Sequence, residues 1–331
     1  MKKVSGKGLW LIGALALCIF SLFLGTFFGS TSTSVADALR ALVQNDRASA
    51  AYRILMYVRL PRVFGAMLAG SALAVSGAII QAALGNPMAS PNIIGVNSGA
   101  GFAVSLVVSI APMALWAMPI AAFFGALSAC LLIWLIAAKT GANRVTITLI
   151  GVAVSSIFSA GINAVKTVFP ESLYNTSTFL IGGLSGVGYE RLLPAGALII
   201  FALAAAFICA RHIDVLSMGE ETAASLGMPV KAFRFVLLVL ASILAGSAVS
   251  FAGLLGFVGL LVPHISRRII GSKNRLLLPF CAFSGASLVL LCDLLGRVLF
   301  APYELPVGIL LSFIGGPFFI AQIMGQRRRT L

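Results

Sequence analysis

The sequence predicts an all-α polytopic membrane protein: about ten transmembrane helices, both termini cytoplasmic, and short re-entrant or interfacial pieces between spans. Three observations carry that prediction. Of 331 residues, 60% are hydrophobic and only 10% charged, with a mean hydropathy of +1.07. Soluble chains are about half apolar and about a quarter charged, so a water-soluble enzyme and a disordered chain are both excluded. A spanning helix takes roughly 20 apolar residues, and ten of them would use about 200, close to the apolar share observed. Third, the basic residues are distributed asymmetrically between alternate loops.

The apolar runs lie at 9–29, 63–84, 93–110, 113–138, 145–165, 192–210, 233–252, 254–270, 276–299 and 306–325. The first reads as a retained helix, although Ser34-Val35-Ala36 offers a small-residue cleavage pattern. Phe179 to Gly188 is Gly-rich and too short to cross, so it reads as a re-entrant or interfacial piece whose backbone protein or water must cover. The remaining loops are too short for a second domain. The chain is thus one transmembrane unit, 1–331, embedded over about 9–325, with its longest cytoplasmic loop at 211–232.

An even number of spans puts both termini on one side. Lys2, Lys3, Lys7 and Arg327 to Arg329, with the loops of that side, give fifteen basic residues against three acidic; the other face has eight against six. Basic residues collect in cytoplasmic loops, which orients the chain and explains the net charge of +14 without nucleic acid. The five cysteines all lie in apolar runs without a CxxC pair and read as small buried hydrophobes. No His/Cys/Asp cluster suggests a metal site, and His264 reads as structural. The many glycines suit close helix packing in lipid. Ala69–Ile79 and Phe283–Leu291 share a Ser-Gly-Ala too weak to establish a repeat.

Charges restrict the energy source. Ion-coupled secondary transporters carry ionisable residues in mid-membrane. Here Asp293 is the one acidic residue in a clear span, near its outer end, with Arg297 placed at i,i+4 to pair with it. The chain also lacks a P-loop: its one Gly-Lys, Gly6-Lys7, is followed by Gly8. Active transport therefore needs a motor on another subunit. A candidate attachment lies in 211–232, where Ser217-Met218-Gly219-Glu220 has the capping-box pattern. It predicts a short helix Met218–Leu226 stopping at Gly227, and a second short helix from Pro229. On the outer face Arg59, Arg62 and Arg297 read singly as snorkelling anchors and together as a cluster suited to carboxylates of a partner. Asn86-Pro87-Met88, Asn92 and Asn97-Ser98 predict an irregular turn beside a cavity, making these six the translocation-path candidates. An intramembrane serine protease built on Ser98 and His264 is a remote alternative, since no activating environment can be read.

Several segments carry a resemblance. They are Arg59-Leu60-Pro61-Arg62; Gln81 through Asn86-Pro87-Met88-Ala89 to Pro91; Gly95 to Gly101; Gly219-Glu220-Glu221-Thr222-Ala223 with Leu226-Gly227; Gly256 to Arg267; and Glu304 to Pro317-Phe318. In this order, over about residues 50 to 325, they resemble the FecCD family, the permease subunits of bacterial type II ABC importers for iron-siderophores, haem and vitamin B12. The resemblance implies ten membrane helices and residence in the bacterial cytoplasmic (inner) membrane. It implies a second permease subunit, two cytoplasmic ATPases that bind ATP and Mg, an external solute-binding protein, and no cofactor in this chain. It also implies a coupling helix at Gly219, Glu220, Glu221, Thr222, Ala223, Leu226 and Gly227 resting on the ATPase. Arg59, Arg62 and Arg297 would receive acidic side chains of the binding protein.

Overall fold

The computed structural model describes residues 2–29, 40, 44, 46–92, 94–114, 116–140 and 144–327. Among them the regular elements are all helical. α1 (Lys2–Phe27) is followed by a helical stretch from Ala50 that passes through a π-helical turn, Ile54–Arg59, into α2 (Leu60–Leu84). Then come α3 (Val96–Ile110), α4 (Ala117–Thr140), α5 (Arg144–Val168) and the short α6 (Leu173–Ile181). α7 (Tyr189–Ile208) leads to two short helices, α8 (Ala210–Ser217) and α9 (Glu220–Ser225). α10 (Val230–Ala252), α11 (Val258–Ile270), α12 (Asn274–Val298) and α13 (Val307–Arg327) complete the chain.

Each of the ten predicted runs contains a helix. Seven helical stretches are long and apolar enough to cross a membrane: α1, Ala50–Leu84, α4, α5, α7, α10 and α12. The protein is thus a multi-pass integral membrane protein. α3 and Val307–Ala321 of α13 are apolar but shorter. At 1.5 Å rise per residue, the 15 residues of α3 cover about 22 Å of a roughly 30 Å hydrocarbon core. Pro91 and the left-handed Gly95 delay its start to Val96. Ser34-Val35-Ala36, Arg328 and Arg329 lie outside the described residues.

α2 is the centre of the bundle, packed by α10, α11 and α12, with α1 laid on α12 and α4 on α3 and α10. In its most apolar window 83% of residues are buried, against 22% for α1 and for α5, so α2 is enclosed by protein while α5 is peripheral. Backbone contact makes this possible. A Cβ on Gly77 of α2 would lie 1.8 Å from the carbonyl oxygen of Gly259 in α11, and one on Gly70 would lie 2.2 Å from that of Gly285 in α12. The two Ser-Gly-Ala stretches therefore belong to helices that pack directly together.

The short Gly-rich piece resolves into two parts. Phe179 to Ile181 ends α6, and the chain then turns through Gly182 and Gly186, both at positive φ. Its backbone is satisfied by the break between α10 and α11: Leu254 N–H donates to Phe179 O at 3.1 Å, and Gly183 N–H to Ala252 O at 2.9 Å. Irregular backbone at membrane depth is tolerable because protein groups meet its hydrogen bonds.

The capping-box expectation is corrected. Ser217 closes α8, its hydroxyl donating to Ile213 O at 2.8 Å, so it caps nothing downstream. Gly219, at φ 116°, occupies the N-cap of α9, a backbone geometry open to glycine. The stop at left-handed Gly227 is as expected. Pro229, however, opens the long α10 rather than a second short helix; the second short helix, α8, comes before α9.

Candidate functional site

Three sites collect the polar residues of this chain. The first is an ion cluster at the Arg62 end of α2. Its parts arrive from different helices: Arg59 from the π-helical turn, Arg62 from the first turn of α2, Asp293 and Arg297 from α12, and Glu304 from the linker to α13. Arg62 Nε donates to both oxygens of Asp293, at 3.0 and 3.1 Å, and Nη1 to Glu304 Oε2 at 2.6 Å. Arg297 meets Asp293 Oδ2 at 3.1 Å, the i,i+4 pair the sequence predicts. It also donates to Phe28 O and Gly25 O, at 3.2 and 3.1 Å, while Arg59 donates to Phe27 O at 2.9 Å. These carbonyls lie at the end of α1, where a helix has unsatisfied acceptors and the negative end of its dipole. Arg59 and Arg297 thus cap α1 while Arg62 and Arg297 grip Asp293.

This geometry corrects the expected exposure of the arginines. Arg59, Arg62 and Arg297 are 4%, 7% and 3% exposed, and carboxylates from the same chain already meet Arg62 and Arg297. They are not snorkelling anchors on an open surface. Sequence adjacency could not reveal this, because Glu304 approaches Arg62 across 242 positions.

The second site is a pair of adjoining cavities of about 650 and 830 Å³ that share Asn92, Asn97, Leu180 and Leu254. Phe257, Gly308, Ser312 and Phe313 line the smaller. The larger runs along α5, lined by Ser155, Ser156, Ser159, Asn163 and Lys166. Asn92, Asn97 and Ser98 therefore lie together, as the sequence suggests. Asn86, Pro87 and Met88 do not join them. Asn86 Oδ1 accepts from Met88 N–H at 2.9 Å in the turn closing α2, and Pro87 lines a separate cleft with Gln81, Ser217, Arg267 and Asn274.

Sequence reasoning missed the α5 stripe, although its spacing of three and four residues across a peripheral apolar helix was a legible signal. Asn97 Oδ1 and Ser155 Oγ are buried there without a hydrogen-bond partner among the described residues, leaving acceptor and donor capacity beside the cavity. No group of three or more His, Cys, Asp or Glu among the described residues could hold a metal. Ser98 spends its hydroxyl on Gly95 O at 3.1 Å.

The third site, around α9, sits at the opposite end of α2. Arg234 of α10 reaches Glu220 Oε1 at 2.6 Å and donates from Nε to Ala83 O at 3.1 Å, tying α9 to the last turn of α2. Asp214 Oδ1 accepts from both the backbone N–H and the side-chain amide of Asn274, each at 2.8 Å, capping the start of α12. Arg267 donates to Gln81 in the same region. Ala223 is wholly buried against its own chain, whereas Glu220, Glu221, Thr222, Leu226 and Gly227 are exposed, with Gly219 half-buried. Met218 and Leu226, 68% and 66% exposed, flank α9 with apolar surface.

The chain belongs to the FecCD transport family, whose family model matches residues 17–325. It is 36% identical over 326 residues to the hemin transport system permease protein HmuU of Yersinia pestis, covering 96% of both chains. With the Fe(3+)-citrate import system permease protein YfmE of Bacillus subtilis it shares 38% over 279 residues, 83% of each. Among solved structures, a chain described as a metal-chelate type ABC transporter in an inward-facing conformation superposes with a TM-score of 0.85 at 27% identity, covering 95% of this chain and 98% of that one. This chain is accordingly a transport permease.

Proposed function

We propose that the chain forms one of two permease subunits that carry an intact metal chelate across the bacterial cytoplasmic membrane, with ATP hydrolysed by two cytoplasmic ATPase subunits. The observation that carries this reading is the polar stripe of α5. A helix with few buried residues carries Ser155, Ser159, Asn163 and Lys166 into a cavity, which suits a path completed by a second permease subunit. The absence of a metal-ligating cluster among the described residues fits a cargo that keeps its own chelator. The relatives' names, hemin and Fe(3+)-citrate, supply the chelate class.

In this reading α3, α11 and α13 join the seven longer stretches as membrane helices, and the excess of basic residues orients both termini and α9 toward the cytoplasm. α9 is the coupling helix. Glu221, Thr222, Leu226 and Met218 face the ATPase, Ala223 and Glu220 hold the helix to its own subunit, and Gly219 and Gly227 bound it. The Arg62 end faces outward and receives an external solute-binding protein. Asn92, Asn97 and Ser98 line the path. The test is uptake by proteoliposomes holding the complete transporter. Uptake should require ATP and persist when the proton gradient is collapsed at constant ATP. Uptake driven by a proton or sodium gradient without nucleotide would overturn the proposal in favour of a secondary transporter.

A further inference from the structure

A further cavity of about 460 Å³ opens at the Tyr189 end of α7, between the first turns of α4 and α7 and the last turns of α10. It shares no lining residue with the two cavities that meet at Asn97. α10 packs on both α4 and α7, and the cavity occupies the space between those two. Trp116, Phe124 and Leu198 line it and are exposed, as lipid-facing side chains are. Tryptophan at the end of a span sits at the headgroup level of a bilayer, which places the mouth of the cavity there.

Polar groups converge on this apolar slot. Glu190 and Arg191, consecutive in the first turn of α7, both line it. Both are exposed, and among the described residues neither makes an ion pair or a side-chain hydrogen bond. Pro194 has no N–H, so the Glu190 carbonyl, four residues before it, lacks its usual helical donor. Deeper in, about 8 Å along the axis from the end of α10, stands Ser247. It is 1% exposed, and its hydroxyl has no hydrogen-bond partner among the described residues. A buried hydroxyl in that state costs free energy until a group from outside the chain meets it.

We propose that this cavity binds an aminophospholipid of the phosphatidylethanolamine type, its ammonium on Glu190, its phosphate on Arg191 and an acyl chain in the apolar slot. Each part of such a lipid has a counterpart at the matching depth. The primary ammonium donates N–H bonds, and the carboxylate and backbone carbonyl of Glu190 accept them. The phosphate suits the guanidinium fork of Arg191. Below the phosphate come the glycerol-ester carbonyls, which accept but do not donate, and Ser247 offers them an unused donor. An anionic lipid brings no cation for Glu190, and a quaternary ammonium brings no N–H. A lipid held here would bridge α4 to α7 on a face apart from the Asn97 cavities.

The test uses the complete transporter in nanodiscs made from equal parts of phosphatidylethanolamine, phosphatidylcholine and phosphatidylglycerol with identical acyl chains. After transfer to detergent, the lipid still bound is measured by mass spectrometry. Phosphatidylethanolamine should be enriched about three- to fivefold over each of the others, the factor that an exposed ion pair supplies. Glu190→Gln should remove most of that preference. Arg191→Gln should lower retention of all three lipids, which share the phosphate. Both positions are exposed, so the fold should tolerate either change. Without any variant, phosphatidylethanolamine added to the delipidated wild type should raise its melting temperature more than phosphatidylglycerol does. Equal retention of the three lipids means an ordinary lipid shell and overturns the site. Enrichment of either other lipid, or a phosphatidylethanolamine preference undiminished in Glu190→Gln, overturns it as well. None of these readouts depends on transport, so the proposed function stands or falls separately.

Discussion

At one end of α2, Arg62 is 7% exposed between two carboxylates of its own chain; at the other, Arg234 is 8% exposed but its carboxylate partner, Glu220, has a side chain 44% exposed. The difference lies in what surrounds each pair. Around Arg62 two further arginines cap the end of α1, and Asp293 of α12 is buried between Arg62 and Arg297, so charges and carbonyls meet one another there. Around Arg234 the ion pair secures only the inward side of α9, and Met218, Glu221, Thr222 and Leu226 stay exposed. The Arg62 cluster is enclosed, whereas α9 is anchored on one side and keeps an open face on the other.

The largest effect expected is from Asp293→Asn. It removes the one carboxylate shared by Arg62 and Arg297 and takes from Arg297 its paired carboxylate among the described residues, and losing one member of a buried pair costs about 3–5 kcal/mol. Thermal unfolding of the detergent-solubilised chain should show a large drop, or the variant should fail to accumulate in the membrane. Glu304→Gln should cost less, because Arg62 keeps Asp293 and the Glu304 side chain is 30% exposed. Equal losses for the two would break the contrast between the enclosed Asp293 and the partly exposed Glu304.

Next is the rod between the two ends. Gly77→Leu places a side chain where even a Cβ lies 1.8 Å from a backbone oxygen, and a carbonyl in α11 cannot swing aside as a side chain can. Overpacking of this kind costs about 1–3 kcal/mol or more. Gly256, with no heavy atom within 4 Å of its Cβ position, is the control, and Gly256→Ala should be nearly neutral. Comparable destabilisation by both would mean that α2 and α11 are not in backbone contact.

A smaller effect is expected at the α9 end. Arg234→Ala should destabilise more than Glu220→Ala, because Arg234 also donates to Ala83 O. Combining the two should give a coupling energy of about 1 kcal/mol or less, as solvent screens a partner this exposed. A coupling energy as large as that of the Arg62 cluster would erase the contrast between the two ends.

How far these sites are legible in the sequence follows from the range of the forces involved. The helices are legible because runs of apolar residues report the bilayer, a solvent that acts on each segment separately. The Asp293–Arg297 pair is legible for a similar reason, its partners being one helical turn apart. Burial of Arg59 and Arg62 is not, because it depends on the end of α1 and on Glu304, both brought in by packing. At Ser217 two local rules compete: a Ser followed by Glu at the third position suggests a cap, but the hydroxyl is equally able to bond back to Ile213 and end the preceding helix. Ala223 reads as part of a contact surface in the sequence, yet on a six-residue helix only one side can face the partner, and Ala223 is on the other.

The last prediction sharpens that point at the open end. Leu226 is 66% exposed and follows the last residue of α9, beside Gly227, so its side chain contributes little to the subunit's own core. Leu226→Ser should alter stability by no more than about 0.5 kcal/mol, the usual range for a surface substitution. If α9 is a docking helix, the same change removes apolar area that a partner would cover, and about 25 cal/mol is lost for each Å² left wet. The ATPase subunits should then co-purify less well and transport should fall, while insertion and melting temperature stay at wild-type values. Ala223→Ser provides the opposite pattern: a hydroxyl forced into a fully buried position should lower stability before it touches assembly. If Leu226→Ser lowers the melting temperature and leaves the ATPases attached, α9 is a structural knob of this subunit, and the two ends of α2 differ in exposure alone.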